Sequence, residues 1–152
     1  AQKKNLIKSL AQELAINRRW LNENLQDQPS DIRKLSRSTI PTFSLPRITV
    51  LNAVVSSGLL DMDRPKEKRL FWAIVECERS LRTASDVLQI MNEDIIDAGP
   101  IESRFSVAKL NQQKMLESEW FIDSKKYLRN IDKLLEDEYE SIKDIPEDSV
   151  KN

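Results

Sequence analysis

The sequence predicts an all-α fold, and three observations carry that prediction. Only two of the 152 residues are glycine, Gly58 and Gly99. An all-β chain needs many more tight turns with positive φ. Apolar residues recur at spacings of three and four over long stretches, which is the period of a helix and not of a strand. The two glycines fall between those stretches, and the six prolines fall at helix starts, stops or loops. The arrangement expected is an antiparallel bundle of three long helices and one short apolar helix, with the last long helix kinked or broken near residues 120–124. Residues 1–145 are read as a single domain and residues 146–152 as an acidic disordered tail.

The first helix is expected from about Gln2 to about Gln26. Leu6, Leu10, Leu14, Asn17, Leu21 and Leu25 follow one another by four, four, three, four and four residues, along one helical face. Asn17 is the polar member of that stripe. Residues 27–40, bracketed by Pro29 and Pro41, are polar and basic. They read as a connection, with a short helical turn expected at Asp31–Leu35.

Ser44-Leu45-Pro46 reads as the start of a second helix, with Ser44 as N-cap and Pro46 in the first turn. This segment is apolar almost all round, which predicts burial on most sides. Gly58 ends it as the left-handed residue that terminates many helices. A third helix is expected to begin with Asp63 as N-cap and Pro65 in its first turn, and to run to about Glu93. Its stripe is Leu70, Phe71, Ile74, Val75, Glu78, Leu81, Ala84, Leu88 and Met91. Gly99 and Pro100 mark a turn. The last segment runs to about Ile145. Phe105, Ala108, Met115 and Ile122 share one heptad phase, and Leu128, Ile131, Leu135 and Ile142 lie outside it. The shift places a break at 120–124, where Asp123-Ser124 could cap a new helix.

Composition narrows the chemistry. The chain has 24 basic and 25 acidic side chains, one cysteine and no histidine. Serine or cysteine nucleophiles activated by histidine are therefore excluded. So are His-ligated metals, and a single cysteine rules out an intramolecular disulfide or a cysteine metal cluster. Two glycines cannot build a phosphate-cradling loop. No cofactor and no metal site is expected, and no catalytic residue stands out. Cys77 lies between Glu76 and Glu78, which disfavours an activated thiolate.

Charge is polarised along the chain. Residues 1–50 hold nine basic and four acidic side chains, whereas 51–100 and 101–152 each carry an acidic excess of three. Arg33, Lys34, Arg37 and Arg47 form a basic cluster that could meet an anionic membrane surface. Near-zero net charge and the lack of any DNA-reading motif argue against nucleic acid. The longest uncharged run, Ile48–Leu60, has thirteen residues. That is short of the roughly 20 needed to cross a bilayer. The chain opens on Ala1-Gln2-Lys3-Lys4 without a Met, so a preceding segment, a membrane anchor or a cleaved signal, is expected.

Three tryptophans, Trp20, Trp72 and Trp120, stand one on each long helical segment. They could stack a planar ligand, or simply wedge between helices with the indole N–H finding a partner. Asn17 and Asn24 share a helix face with Glu13 one turn before. Such amides can fix helix register or contact a ligand. Asn17, Trp20, Asn24, Trp72, Glu76 and Arg79 are the candidate small-molecule contacts. Glu78 and Arg82 are spaced to form an ion pair on one face of the third helix.

The order of features resembles a diffuse group of uncharacterised small bacterial proteins with one N-terminal transmembrane helix before a helical domain. The resemblance covers residues 8–92. It rests on Glu13 and Asn17 in the first helix, on Ser56-Ser57-Gly58-Leu59 closing the short helix, and on Trp72 near the start of the next. It implies location rather than chemistry: a domain tethered at the cytoplasmic face of a membrane, or outside the cytoplasm if a signal is cleaved. The function expected is a non-enzymatic interaction or scaffold domain, bound to a protein partner or to further copies of itself. The alternative is a ligand-sensing bundle with a small molecule between its helices.

Overall fold

A computed structural model describes residues 2–26, 33, 35 and 40–138. The expected acidic tail at 146–152 lies outside these residues, as does most of the turn expected at Asp31–Leu35. The regular secondary structure of the described residues is helical throughout, with no strand among them: α1 (Gln2–Leu25), α2 (Thr49–Ser57), α3 (Pro65–Asp97), α4 (Ile101–Glu117) and α5 (Glu119–Glu138). No described helix is long and apolar enough to cross a membrane.

α3 is the central element and packs against α2, α4 and α5, while α1 packs against α2 and α5. Its 33 residues give it an axis of about 50 Å. It outlasts the expected end at Glu93 by a turn because Ile95 is buried and extends the stripe. Leu70, Ile74, Leu81, Ala84, Leu88 and Met91 are buried as the periodicity requires. Cys77 and Ser80, not Glu78, complete the buried face. Pro65 opens α3 in its first turn, where a missing N–H costs nothing, and Arg64 rather than Asp63 is its N-cap.

α2 departs from the expected start. It begins at Thr49, and residues 41–48 are not helical. Ser44 therefore caps no helix. Gly58 does close α2 with φ +68°, the left-handed conformation expected there. Leu60 folds back into the core.

The last segment is divided at Ser118, ahead of the expected 120–124. Ser118 has extended backbone, with ψ 138°, and its carbonyl accepts the Phe121 and Ile122 N–H groups at 3.2 Å. The break changes which side chains face inward. Phe121 is buried, and Ile122, assigned inward by the heptad phase, is 54% exposed. Ser124 is not a cap. It is buried within α5, bonded to Ser80 Oγ of α3 at 2.9 Å and donating to the Trp120 carbonyl at 2.6 Å. Two small residues facing each other allow α3 and α5 to approach closely.

Candidate functional site

The polar residues of α1 form one ladder. Glu13, Asn17, Trp20 and Asn24 follow at spacings of four, three and four, so they share a face and all are buried. Each is turned toward residues 43–51. The Glu13 carboxylate accepts the N–H groups of Val50 at 3.0 Å and Leu51 at 2.7 Å. These are donors of the first turn of α2, which has no cap of its own. An anion from another helix thus satisfies orphan N–H groups and sits at the positive end of the α2 dipole.

Asn17 pairs with Arg47 like one peptide group with another, donating to its carbonyl and accepting its N–H, both at 2.8 Å. Asn24 does the same with Ser44 at 3.1 and 3.2 Å. The Trp20 indole N–H donates to the Ser44 carbonyl at 2.8 Å. From α3, Asn92 makes a third such pair with Phe43, at 2.7 and 2.9 Å. The non-helical segment 43–47 is thus bonded by side-chain amides where a regular element would use backbone partners. Gln112 of α4 donates to the carbonyls of Asn24 and Gln26, closing the C-terminal end of α1.

The candidate small-molecule contacts fall into two groups. The six candidates do not converge. Asn17, Trp20 and Asn24 direct their polar groups at the chain's own backbone, and Trp20 is only 2% exposed. Trp72, Glu76 and Arg79 lie on α3, where they line surface clefts. Of the four residues expected at an anionic surface, Arg33 and Arg47 are exposed, and Lys34 and Arg37 lie outside the described residues.

The α3–α5 seam carries the second constellation. α5 runs back along α3: Ser80 bonds to the Trp120 carbonyl at 3.1 Å, while Pro65 and Leu134 line one cleft at the other end. On α3 the residues lining this seam include Pro65, Arg69, Trp72, Glu76, Arg79 and Thr83, at alternating spacings of four and three. On α5 they include Trp120, Asp123, Tyr127, Asn130 and Leu134, at spacings of three and four. That is the spacing by which a helix keeps one seam turned toward a partner helix. Hydropathy did not reveal it, because half of these positions are polar.

Two adjoining clefts make up the seam and share Glu76. The first, of about 1020 Å³, is lined by the apolar Pro65, Trp72, Ala73 and Leu134 and by the basic Lys68, Arg69 and Lys133. Trp72 is 52% exposed and meets the Phe71 ring edge-to-face at 5.2 Å. The second, of about 460 Å³, is lined by Glu119, Asp123, Arg79 and the rings of Trp120 and Tyr127. Trp120 and the buried Trp20 both lie edge-on to Phe121, with ring centroids 6.0 Å apart. The three tryptophans therefore differ in role: Trp20 is core, Trp120 is half-buried, and Trp72 is presented to solvent.

Comparison with protein-family models, with curated proteins and with solved structures gives no match. Among the described residues no three His, Cys, Asp or Glu gather in a group that could hold a metal. Cys77 is buried, and burial first, then the charges of Asp132, Glu13 and Glu78, push its thiol far above the ordinary range. Glu67 is held below the usual carboxylate range chiefly by its bond to Lys3 Nζ at 2.6 Å, although burial works the other way. Glu78 and Arg82 form the ion pair their spacing predicts.

Proposed function

We propose that the chain is a non-enzymatic interaction or scaffold domain that engages a protein through the α3–α5 seam. The reading includes the antiparallel bundle over residues 1–145, and tethering at a membrane surface near the basic N-terminal portion. The observation that carries it is Trp72. A tryptophan left half in water, in a cleft shared with apolar neighbours and charged side chains, has the composition of an interface anchor. Core packing does not account for its position, since the buried stripe of α3 runs along the other face. The polar α1 ladder is already engaged by residues 43–51, so its side chains are not offered to a partner.

Oxidative footprinting tests this reading. The purified protein is compared with the same protein in extract of its native cell. Trp72 and Leu134 are expected to lose reactivity in the extract while Leu110, exposed on α4, does not. Equal reactivity of Trp72 in both samples contradicts the reading.

The alternative is small-molecule sensing, and one observation favours it. The smaller cleft places Glu76 and Arg79 beside two aromatic rings and two further carboxylates. Thermal stabilisation by one member of a metabolite panel, lost in Arg79→Ala, would support that reading instead.

A further inference from the structure

We infer that the occupant of the α3–α5 seam is an amphipathic helix about five turns long with acidic residues at one end. This rests on the interaction reading above and names the partner's chemistry. Three observations carry it.

The first is shape. From Pro65 to Thr83 the furrow follows about 27 Å of the α3 axis, which matches about five turns of a docked helix. Its walls repeat at three and four residues on both sides, so they meet a helix whose own contacts fall at i, i+3, i+4 and i+7. An extended peptide, with side chains alternating every second residue, does not match that repeat.

The second is chemistry along the floor. Apolar surface is concentrated near Trp72, Ala73 and Leu134 in one half, and near Trp120 and Tyr127 in the other. A helix with an apolar stripe covers both groups at once.

The third is charge. Lys68, Arg69 and Lys133 surround the Pro65 end, while Glu119 and Asp123 stand at the other. The basic end calls for Asp or Glu on the partner, and the acidic end excludes a uniformly acidic one. A helix carries acidic residues most favourably in its first turn and basic ones in its last. The occupant therefore lies with its N-terminus near Pro65 and runs in the same direction as α3.

The test uses the whole chain and two synthetic peptides of about 20 residues, ~30 Å when helical. Both carry the same Leu/Phe stripe and the same basic last turn. One has Glu and Asp in its first two turns, and its twin has Lys there. Binding is followed by calorimetry at two salt concentrations, with the change in tryptophan emission of the wild-type chain as a second signal. The acidic peptide is expected to bind at least about tenfold more tightly than the twin, and more weakly at higher salt. Trp72→Ala is expected to weaken it about tenfold or more. The variant with Lys68→Glu, Arg69→Glu and Lys133→Glu is expected to reverse the preference. All four substituted side chains are exposed, and unchanged circular dichroism and melting confirm that each variant is folded. Equal binding of the two peptides, no binding by either, or indifference to Trp72→Ala overturns the inference. Sedimentation supplies a further outcome: self-association abolished by Trp72→Ala assigns the seam to a second copy. That overturns the acidic helix while leaving the interaction reading standing, whereas failure of the footprint at Trp72 removes both.

Discussion

The side-chain amide of Asn17 forms a two-bond pair with the peptide groups of Arg47, each bond 2.8 Å long, at a position with no solvent exposure. Residues 43–47 belong to no helix or sheet, yet the N–H groups of Phe43, Ser44 and Arg47 are paired, through side chains of α1 and α3. Buried backbone groups need such partners, and here the fold supplies them from the side. Asn17→Ala is expected to destabilise the protein by about 2–3 kcal/mol, because both Arg47 groups lose their bonds inside the structure. Asn17→Asp is expected to be at least as damaging, since a carboxylate would face the Arg47 carbonyl without a donor. Urea denaturation with an unchanged m-value checks both.

Glu13 binds the start of α2 through two charged hydrogen bonds. Glu13→Ala is expected to cost about 2–4 kcal/mol, and Glu13→Gln less, since one acceptor oxygen survives. Hydrogen exchange gives the sharper reading. The Val50 and Leu51 amides should lose protection in Glu13→Ala more than the amides at the C-terminal end of α2.

Gly58 has φ +68°, and a Cβ built there meets nothing within 4 Å. Gly58→Ala is therefore expected to cost only the left-handed backbone penalty, about 1–2 kcal/mol. Gly58→Asn should cost less, because Asn tolerates that conformation. Thermal melts of the two variants rank them, and Ala equal to wild type would contradict the argument.

Cys77 is fully buried with its thiol pKa pushed upward, so it should be inert toward a thiol-specific disulfide reagent in the native protein. Labelling is expected to follow unfolding, accelerating with denaturant along the unfolding transition. Rapid labelling without denaturant would contradict this burial.

Glu67 has a lowered pKa in the folded protein, owed first to Lys3. A group that holds its proton less firmly when folded stabilises the protein above its unfolded value, about 4.3. That contribution is lost as the pH falls through the lower folded value. Lys3→Met should therefore reduce stability at neutral pH and flatten the fall in stability on acidification below about pH 4.3. Melting temperatures of the two proteins across that range check the sign.

Much of the fold was legible because helical burial writes itself into apolar spacing. The stripe of α3, the end of α2 at Gly58 and the buried run Leu128, Ile131, Leu135 all follow from period and breakers. The start of α2 was not legible. Ser44-Leu45-Pro46 has the local chemistry of a helix start, but the partners that bond it and Arg47 outside any helix are Asn17, Trp20 and Asn24, which lie 20 to 30 residues away in the chain. The inward face of α5 was misassigned at Ile122 because Ser118, a residue with no strong helix-breaking character, resets the phase. The candidate site divided along the same line. A polar residue within a leucine stripe signals a buried partner but not whether that partner is ligand or backbone. The seam around Trp72 left no hydropathy signal at all, since its regular spacing is carried by Arg69, Glu76, Arg79, Asp123 and Asn130 as much as by aromatic rings.

Site-specific crosslinking in the native cell asks whether a protein partner covers the seam at Trp72. A photoreactive benzophenone amino acid is placed at position 72, and in a parallel strain at position 110 on α4. A discrete crosslinked protein species is expected from position 72 and none from position 110. Irradiation that leaves the position 72 protein at its own mass, or gives the same adducts from both positions, contradicts it.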